Sequence, residues 1–139
     1  MIMAIKTESA IERDFLQLLK DSSLASELRG RIYRDEMRPA DAKTEDVVFK
    51  FIAGTDAQIQ EGIVVVNIYV PDLKRSGGRA VKDYGRIDAL QEEAIKLTDN
   101  STHSSEYRLT TDGSMTTIPV EGIEQHMIVL RLRFRRLSD

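Results

Sequence analysis

The sequence predicts an α+β fold in which a mainly antiparallel sheet has two main helices packed on one face. Three observations support this fold class. Apolar residues recur at helical spacing near the N-terminus and again around Leu90. Runs rich in β-type residues, some with regular alternation of apolar and polar side chains, occupy much of the rest. The resulting order of helix, strands, helix and strands is typical of a two-layer α+β domain.

The N-terminal part of the chain is expected to form two consecutive helices. Ser9 and Glu12 have the spacing of a capping box, which places the start of the first helix at Ser9. The apolar face of this helix consists of Ile11, Phe15, Leu18 and Leu19. The polar run Asp21-Ser22-Ser23 should end it and cap a shorter helix, which Gly30 is placed to end.

A short strand and a long polar loop follow these helices. Arg31 to Arg34 is predicted to be the strand. Asp35 to Asp46, which contains Pro39, is predicted to be an exposed loop. Its five acidic residues, against Arg38 and Lys43, give it a net charge of −3.

Two further strands are expected in the middle of the chain. Val47 to Ala53 is rich in β-branched and aromatic residues. Ile63 to Val70 carries apolar residues on both faces, which is typical of a central strand or of one whose second face is covered by a partner. Pro71 should end this strand, because proline has no backbone N–H to donate.

The segment after Pro71 is predicted to be a basic loop followed by the longest helix. The loop contains glycines and runs from Asp72 to Gly78, and the helix runs from Arg79 to Leu97. A loop rich in serine and threonine, Thr98 to Ser105, then leads to the C-terminal strands.

The C-terminal part is predicted to consist of a hairpin and a long strand. The runs Glu106 to Thr111 and Ser114 to Val120 flank Asp112-Gly113, a residue pair that strongly favours a hairpin turn. Ile123 to Leu137 has the clearest alternation in the chain. The residues expected in the core are Phe15, Leu19, Val64, Ile68, Leu90, Leu97, Leu132 and Phe134.

Composition excludes some classes of protein and disfavours others. The 139 residues, 41% of them hydrophobic, suit a single domain spanning 1–139. The absence of cysteine excludes disulfides and thiolate metal sites. The net charge of −3 argues against specific nucleic-acid binding, and no apolar run is long enough to cross a membrane. We therefore expect a soluble protein that is not exported.

No catalytic, cofactor-binding or metal-binding site is predicted. The two histidines, His103 and His126, are far apart and lack the spacing of a zinc site. His103 lies among serines, but none of them stands in the G-x-S-x-G turn that presents a nucleophile. His126, at the start of the last strand, is expected at the surface or at an interface.

Two basic segments are candidates for contacts with other molecules. Lys74 to Arg79 precedes a helix and can be an exposed loop, an anion-binding site or an arm that orders on a partner. Three arginines share one face of the last strand, where they repel one another unless acids of a neighbouring strand or subunit face them. With the acidic loop as one source of such acids, the candidate subunit interface consists of Arg131, Arg133, Arg135, Asp35, Glu36 and Asp41.

The order of elements and one short motif resemble a known family over most of the chain. An amphipathic helix runs into Leu24-Ala25-Ser26-Glu27-Leu28, then Gly30-Arg31-Ile32-Tyr33, with Pro39 shortly after. A strand pair, a helix of the Arg86–Leu97 type and a final strand ending in Arg131-Leu132-Arg133-Phe134-Arg135 complete the pattern. In these features the chain resembles the tail-completion, or tail-terminator, proteins of long-tailed bacteriophages and prophages. Segments 72–78 and 41–45 have no counterpart in that pattern.

The resemblance implies a structural role with no catalysis and no cofactor. It implies a ring-shaped homo-oligomer, such as a hexamer, that caps the tail tube and joins it to the head through connector proteins. Such a protein would assemble in the host cytoplasm and then remain in the virion. The alternative is a small α+β ligand-binding or accessory enzyme domain. A deep pocket containing titratable groups with shifted pKa values would favour that alternative.

Overall fold

The computed structural model of the chain describes residues 6–54, 60–75, 77–99 and 106–137. The helices in these ranges are α1 (Glu8–Lys20), α2 (Ser23–Glu27) and α3 (Tyr84–Ile95), and a 3₁₀ turn, Lys96–Thr98, extends α3. The strands are β1 (Ile32–Arg34), β2 (Asp46–Gly54), β3 (Gln60–Pro71), β4 (Leu73–Lys74), β5 (Ala80–Val81), β6 (Tyr107–Thr111), β7 (Thr116–Pro119) and β8 (Gln125–Arg136).

Six of these strands form one sheet with the order β1-β2-β3-β8-β6, and β7 also pairs with β8. Only the β1–β2 pairing in this sheet is parallel; the pairings of β3 with β2 and β8, and of β6 and β7 with β8, are antiparallel. The helices and the inner sheet face bury one hydrophobic core. The predicted α+β class, with helices on one face of a mainly antiparallel sheet, is confirmed.

The core contains every residue that the sequence placed in it. All eight predicted side chains are at most 3% exposed. An aromatic cluster joins α1 to β6 and β8: the Phe15 ring lies 5.2 Å from Tyr107 and 5.3 Å from Phe134. Such ring pairs add roughly 0.5–1.5 kcal/mol each beyond the area that they bury. The prediction that the strand around Val66 is central is also confirmed, because β3 lies between β2 and β8.

The helix starts differ from those predicted. Helix α1 is capped by Thr7, whose Oγ1 accepts a hydrogen bond from the Ala10 N–H at 3.1 Å, so the capping box at Ser9 was wrong. Helix α3 begins at Tyr84, since the Asp83 side chain accepts from the Arg86 N–H at 3.1 Å. Ala80 and Val81, which were predicted to be helical, form β5 instead.

The predicted Asp112-Gly113 hairpin is wrong. Strands β6 and β7 lie end to end along β8, and each pairs with β8. The four residues between them bulge out of the ladder, although the Asp112 N–H still donates to the Arg131 carbonyl at 2.9 Å. The true hairpin joins β7 to β8, with Gly122 at φ 82° in its turn. Within the described ranges, no helix is long and apolar enough to cross a membrane.

Candidate interaction surface

The outer face of the six-stranded sheet, opposite the helices, is the candidate interaction surface. On β3 the inner side chains are fully buried, whereas Ile63, Val65 and Tyr69 on the outer side are only partly buried. Ile118 on β7 is exposed on the same face beside Met127 of β8. Apolar side chains therefore remain accessible on a face that none of the described helices covers.

A polar atom also lies without a partner on this face. The Asn67 Oδ1 atom, at the middle of β3, is buried and accepts no hydrogen bond from any residue that the structure describes. Its cross-strand neighbours are Val48 and Val129, which offer no side-chain donor. Buried polar atoms without a partner are rare in folded proteins.

The predicted arginine stripe lies on the outer face of β8, and all three side chains are exposed. Acids of neighbouring segments of the same chain face it. Asp112 is 3.3 Å from Arg131 Nε and 3.4 Å from Arg133 Nη2, and Glu61 Oε1 is 3.9 Å from Arg135 Nε. These pairs are long and solvent-exposed, so each contributes only about 0–1 kcal/mol.

The predicted acidic residues lie at the other side of the sheet, in the loop between β1 and β2. Asp35, Glu36 and Asp41 are all exposed. Asp35 lies 3.9 Å from Lys50 Nζ. The loop contacts the start of β8, where the Gln125 side chain bonds to Arg38 and to the Ala42 carbonyl. The arginines lie further along β8 and pair with Asp112 and Glu61, so the acids and the arginine stripe are not paired within one chain. Contact between them requires a second copy.

Two acids of the segment Asp35 to Asp46, which was predicted to be an exposed loop, are buried, and this corrects the prediction. Asp46 accepts hydrogen bonds from the Arg31 N–H at 2.8 Å, from Thr44 Oγ1 at 2.6 Å and from Arg38 Nε at 2.9 Å. Burial raises the pKa of Asp46, but these bonds outweigh it and hold the pKa below its usual value. The Arg38 guanidinium also stacks 4.0 Å above the Tyr69 ring. Since Tyr69 faces outwards, this loop is fastened over one end of the outer sheet face.

Glu45, the second buried acid, links three elements. Its carboxylate accepts from Arg86 Nη2 at 2.6 Å and Arg86 Nε at 2.9 Å, and from the Arg29 N–H at 3.1 Å. Arg86 Nη1 also donates to Glu27 Oε1 at 2.7 Å. The hydrogen bonds that Arg86 donates to Glu45 are the main reason why the pKa of Arg86 is raised. The backbone at Gly30 runs very close to the backbone at Glu45. A Cβ atom on Gly30 would lie 2.1 Å from the Glu45 carbonyl oxygen.

Sequence reasoning missed this network and misread Gly30 as a helix terminator. Helix α2 ends at Glu27, and Gly30 instead allows the backbone to approach Glu45. One signal was present: Glu45 and Asp46 directly precede a strongly apolar strand, where acids are expected to be buried and therefore paired.

A cavity of about 750 Å³ lies between α1, the 3₁₀ turn and the start of β6, and it is lined in part by Asp14, Leu18 and Tyr107. The Tyr107 hydroxyl donates to Asp14 Oδ2 at 2.6 Å. Lys6 Nζ lies 2.6 Å from Asp14 and 2.8 Å from Glu106. The polar wall of the cavity is therefore a connected chain of hydrogen bonds.

Three titratable groups of this wall, Asp14, Glu106 and Tyr107, have shifted pKa values. Burial raises the pKa values of Asp14 and Glu106, but hydrogen bonds from Lys6 and other donors outweigh it and leave both pKa values lowered. Burial and the bond to Asp14 raise the pKa of Tyr107. Ionised acids and a neutral phenol are poorly suited to general acid–base catalysis, which needs a pKa near the working pH.

These pKa shifts predict a loss of stability in acid. The pKa values of Asp14 and Glu106 are lower in the folded chain than their ordinary values of 3.8 and 4.5. The stability that these two carboxylates contribute is therefore fully present when the pH is above their ordinary pKa values. It is lost as the pH falls through their lower pKa values in the folded chain. The melting temperature should fall between pH 5 and pH 3. Asp14→Asn should melt below the wild type at pH 7, and the difference should shrink as the pH falls below 3.8, the ordinary pKa of an aspartate. A constant difference would contradict this assignment.

His126 lies closer to the interior than predicted. Its Nδ1 is 2.6 Å from Asp72 Oδ1, and both side chains are largely buried at the end of β3 and β8. His103 lies outside the described residues. Over the ranges that the structure describes, no group of three or more His, Asp or Glu side chains is arranged to hold a metal ion.

Neither a scan against protein-family models nor a search of curated proteins found a match for this chain. The functional proposal therefore depends on the surfaces described above and on the residues that resemble the tail-completion family.

Proposed function

We propose that this protein is a structural component of a phage or prophage virion that completes the tail. In this role it forms a ring-shaped homo-oligomer, such as a hexamer, and joins the tail tube to the head-tail connector proteins. It catalyses no reaction and needs no cofactor. It assembles in the host cytoplasm and is then carried in the virion.

The observation that carries the proposal is the uncovered outer face of the sheet. Partly buried apolar side chains of β3 and β8 lie there next to the exposed Arg131, Arg133 and Arg135. The exposed acids Asp35, Glu36 and Asp41 lie on the opposite side of the sheet. Two different, oppositely charged surfaces on one chain favour head-to-tail contact between copies. Such contacts build a ring when the rotation between copies closes.

Apolar burial would have to supply most of the association energy. Exposed ion pairs contribute only about 0–1 kcal/mol each, whereas buried apolar surface contributes roughly 25 cal/mol per Å². The arginines would act mainly on orientation and choice of partner. Because apolar burial would supply the energy and the arginines only the orientation, the arginines can pair weakly with Asp112 and Glu61 in the free chain and still direct assembly.

Ligand binding is the second candidate function, and the cavity beside Tyr107 favours it. The cavity volume of about 750 Å³ is in the range of small-molecule sites. Asp14 and Glu106 are already paired with Lys6, and Asp14 also with Tyr107, so a charged ligand that binds these acids would have to displace these contacts. For this reason the outer sheet face supports a function better than the cavity does.

The test compares assembly of the wild type with that of Arg131→Glu/Arg133→Glu/Arg135→Glu. Multi-angle light scattering should show a closed oligomer for the wild type, alone or with purified tail tubes, and a folded monomer for the triple variant. The matched control is Arg13→Glu/Lys20→Glu/Arg29→Glu, which makes the same charge change at exposed positions near the helices. This control should assemble normally. A wild type that is monomeric in every condition and does not bind tubes would refute the proposal.

A further inference from the structure

Strands β4 and β5 form a separate two-stranded hairpin between β3 and α3. Leu73 pairs with Val81 and Lys74 with Ala80. The Arg75 N–H donates to the Arg79 carbonyl at 3.3 Å and continues the ladder towards the tip. Gly77 and Gly78, at φ 105° and 94°, make the turn in conformations that favour glycine. Ser76 lies outside the described residues.

This hairpin presents cations around an apolar side chain. Lys74, Arg75 and Arg79 are exposed, and Leu73 is 51% exposed. Lys74 lies 3.3 Å from Glu124. In the part of the chain that the structure describes, the side chains of Arg75 and Arg79 form no ion pair. Two cations therefore remain available to an acidic partner.

The loop between β1 and β2 presents the complementary arrangement. Met37 is 67% exposed, and the exposed Asp35, Glu36 and Asp41 surround it in sequence. Neither Glu36 nor Asp41 forms an ion pair with another described residue. The bonds of Asp46 and Arg38 fasten this loop to the sheet, so the acids belong to a positioned surface.

We infer that the β4–β5 hairpin of one copy docks on the β1–β2 loop of the next copy. The occupant is a second copy because both halves of the contact, Leu73 with its cations and Met37 with its acids, belong to the same chain. Arg131, Arg133 and Arg135 already face Asp112 and Glu61, whereas Arg75 and Arg79 form no ion pair with any residue that the structure describes. The hairpin is therefore a further basic partner for the acidic loop, besides the arginine stripe of the proposed ring. This inference rests on the proposed ring and assigns one of its contacts.

The absence of native cysteine makes the contact directly testable by cross-linking. In Met37→Cys/Leu73→Cys, oxidation should link neighbouring copies into a ladder of multimers on a non-reducing gel. The control Met37→Cys/Ile95→Cys moves the second thiol to an exposed position on α3 and should give no ladder. Adding Arg75→Glu/Arg79→Glu should abolish the ladder. Adding Glu36→Lys/Asp41→Lys to that variant should restore it, because the charges are then exchanged.

The possible failures are distinguishable. If light scattering shows that the wild type assembles but no ladder forms, the docking inference is wrong and the proposed ring remains. A wild type that stays monomeric with and without tail tubes overturns the proposed function and this contact together. If Arg75→Glu/Arg79→Glu assembles and cross-links normally but loses affinity for a duplex DNA fragment, the hairpin binds nucleic acid and the docking inference is wrong.

Discussion

Gly30→Ala is expected to destabilise the protein by about 3 kcal/mol or more, or to prevent folding. A Cβ atom at this position would lie 2.1 Å from the Glu45 carbonyl oxygen and 2.2 Å from Asp46 Oδ1. Neither atom can move away easily, because Asp46 is held by Arg31 and Arg38 and the Glu45 carbonyl is part of the backbone. The clash would therefore separate β1 from β2 or break the buried network.

Chemical denaturation with circular dichroism measures this effect, and Gly85→Ala is the matched control. Gly85 lies in the first turn of α3, where an added Cβ would be 3.7 Å from its nearest neighbour, Asp83 Oδ1. Because alanine is the better helix former, the control should be neutral or stabilising by up to about 1 kcal/mol. Equal stability of the two variants would show that Gly30 does not make the close approach described here.

Arg86→Leu is expected to cost about 3–5 kcal/mol, because it leaves the buried Glu45 carboxylate without its cation. Glu45 is only 4% exposed, so water cannot replace the two lost hydrogen bonds. The remaining donor is the Arg29 N–H. The contact between α3 and the segment before β2 should weaken, which a lower midpoint of urea unfolding would report.

A second variant separates the buried charge from the loss of packing. In Arg86→Leu/Glu45→Gln the buried group is neutral, and its side-chain oxygen can still accept from Arg29. We expect this double variant to be more stable than Arg86→Leu alone. Arg13→Leu, at an exposed position on α1, should change stability by less than about 0.5 kcal/mol. A double variant less stable than the single one would contradict the assignment of a charge penalty.

The predictions from sequence were wrong where residues that are distant in the chain decide how a segment pairs or where a helix starts. Asp112-Gly113 favours a tight hairpin locally, but β8 is long enough to pair with both β6 and β7, so the two strands lie end to end. Likewise, the helical pattern after Arg79 does not decide where α3 starts. The side chain of Asp83 decides it, since it satisfies a free N–H of the first turn.

The candidate surface was partly predictable. Alternation in the last strand is a local property, so Arg131, Arg133 and Arg135 could be placed on one exposed face. Their contacts with Asp112 and Glu61 could not be predicted, because those depend on which segments lie beside β8. The basic hairpin was recognised as a charged segment, but its strand pairing is visible only in three dimensions.

The sequence by itself determined the α+β class and the eight predicted core residues, whereas it left the strand Ile63 to Val70 either central or covered by a partner. The fold class and the core residues follow from periodicity, because a buried face must repeat every two residues in a strand and every three to four in a helix. Only the tertiary structure decided which acids between Asp35 and Asp46 are buried. Glu45 and Asp46 resemble Asp35 and Asp41 in sequence, but Arg86 and Arg38 reach them from distant positions and offset their desolvation. That pairing leaves Asp35, Glu36 and Asp41 as the exposed charges with which another molecule can interact.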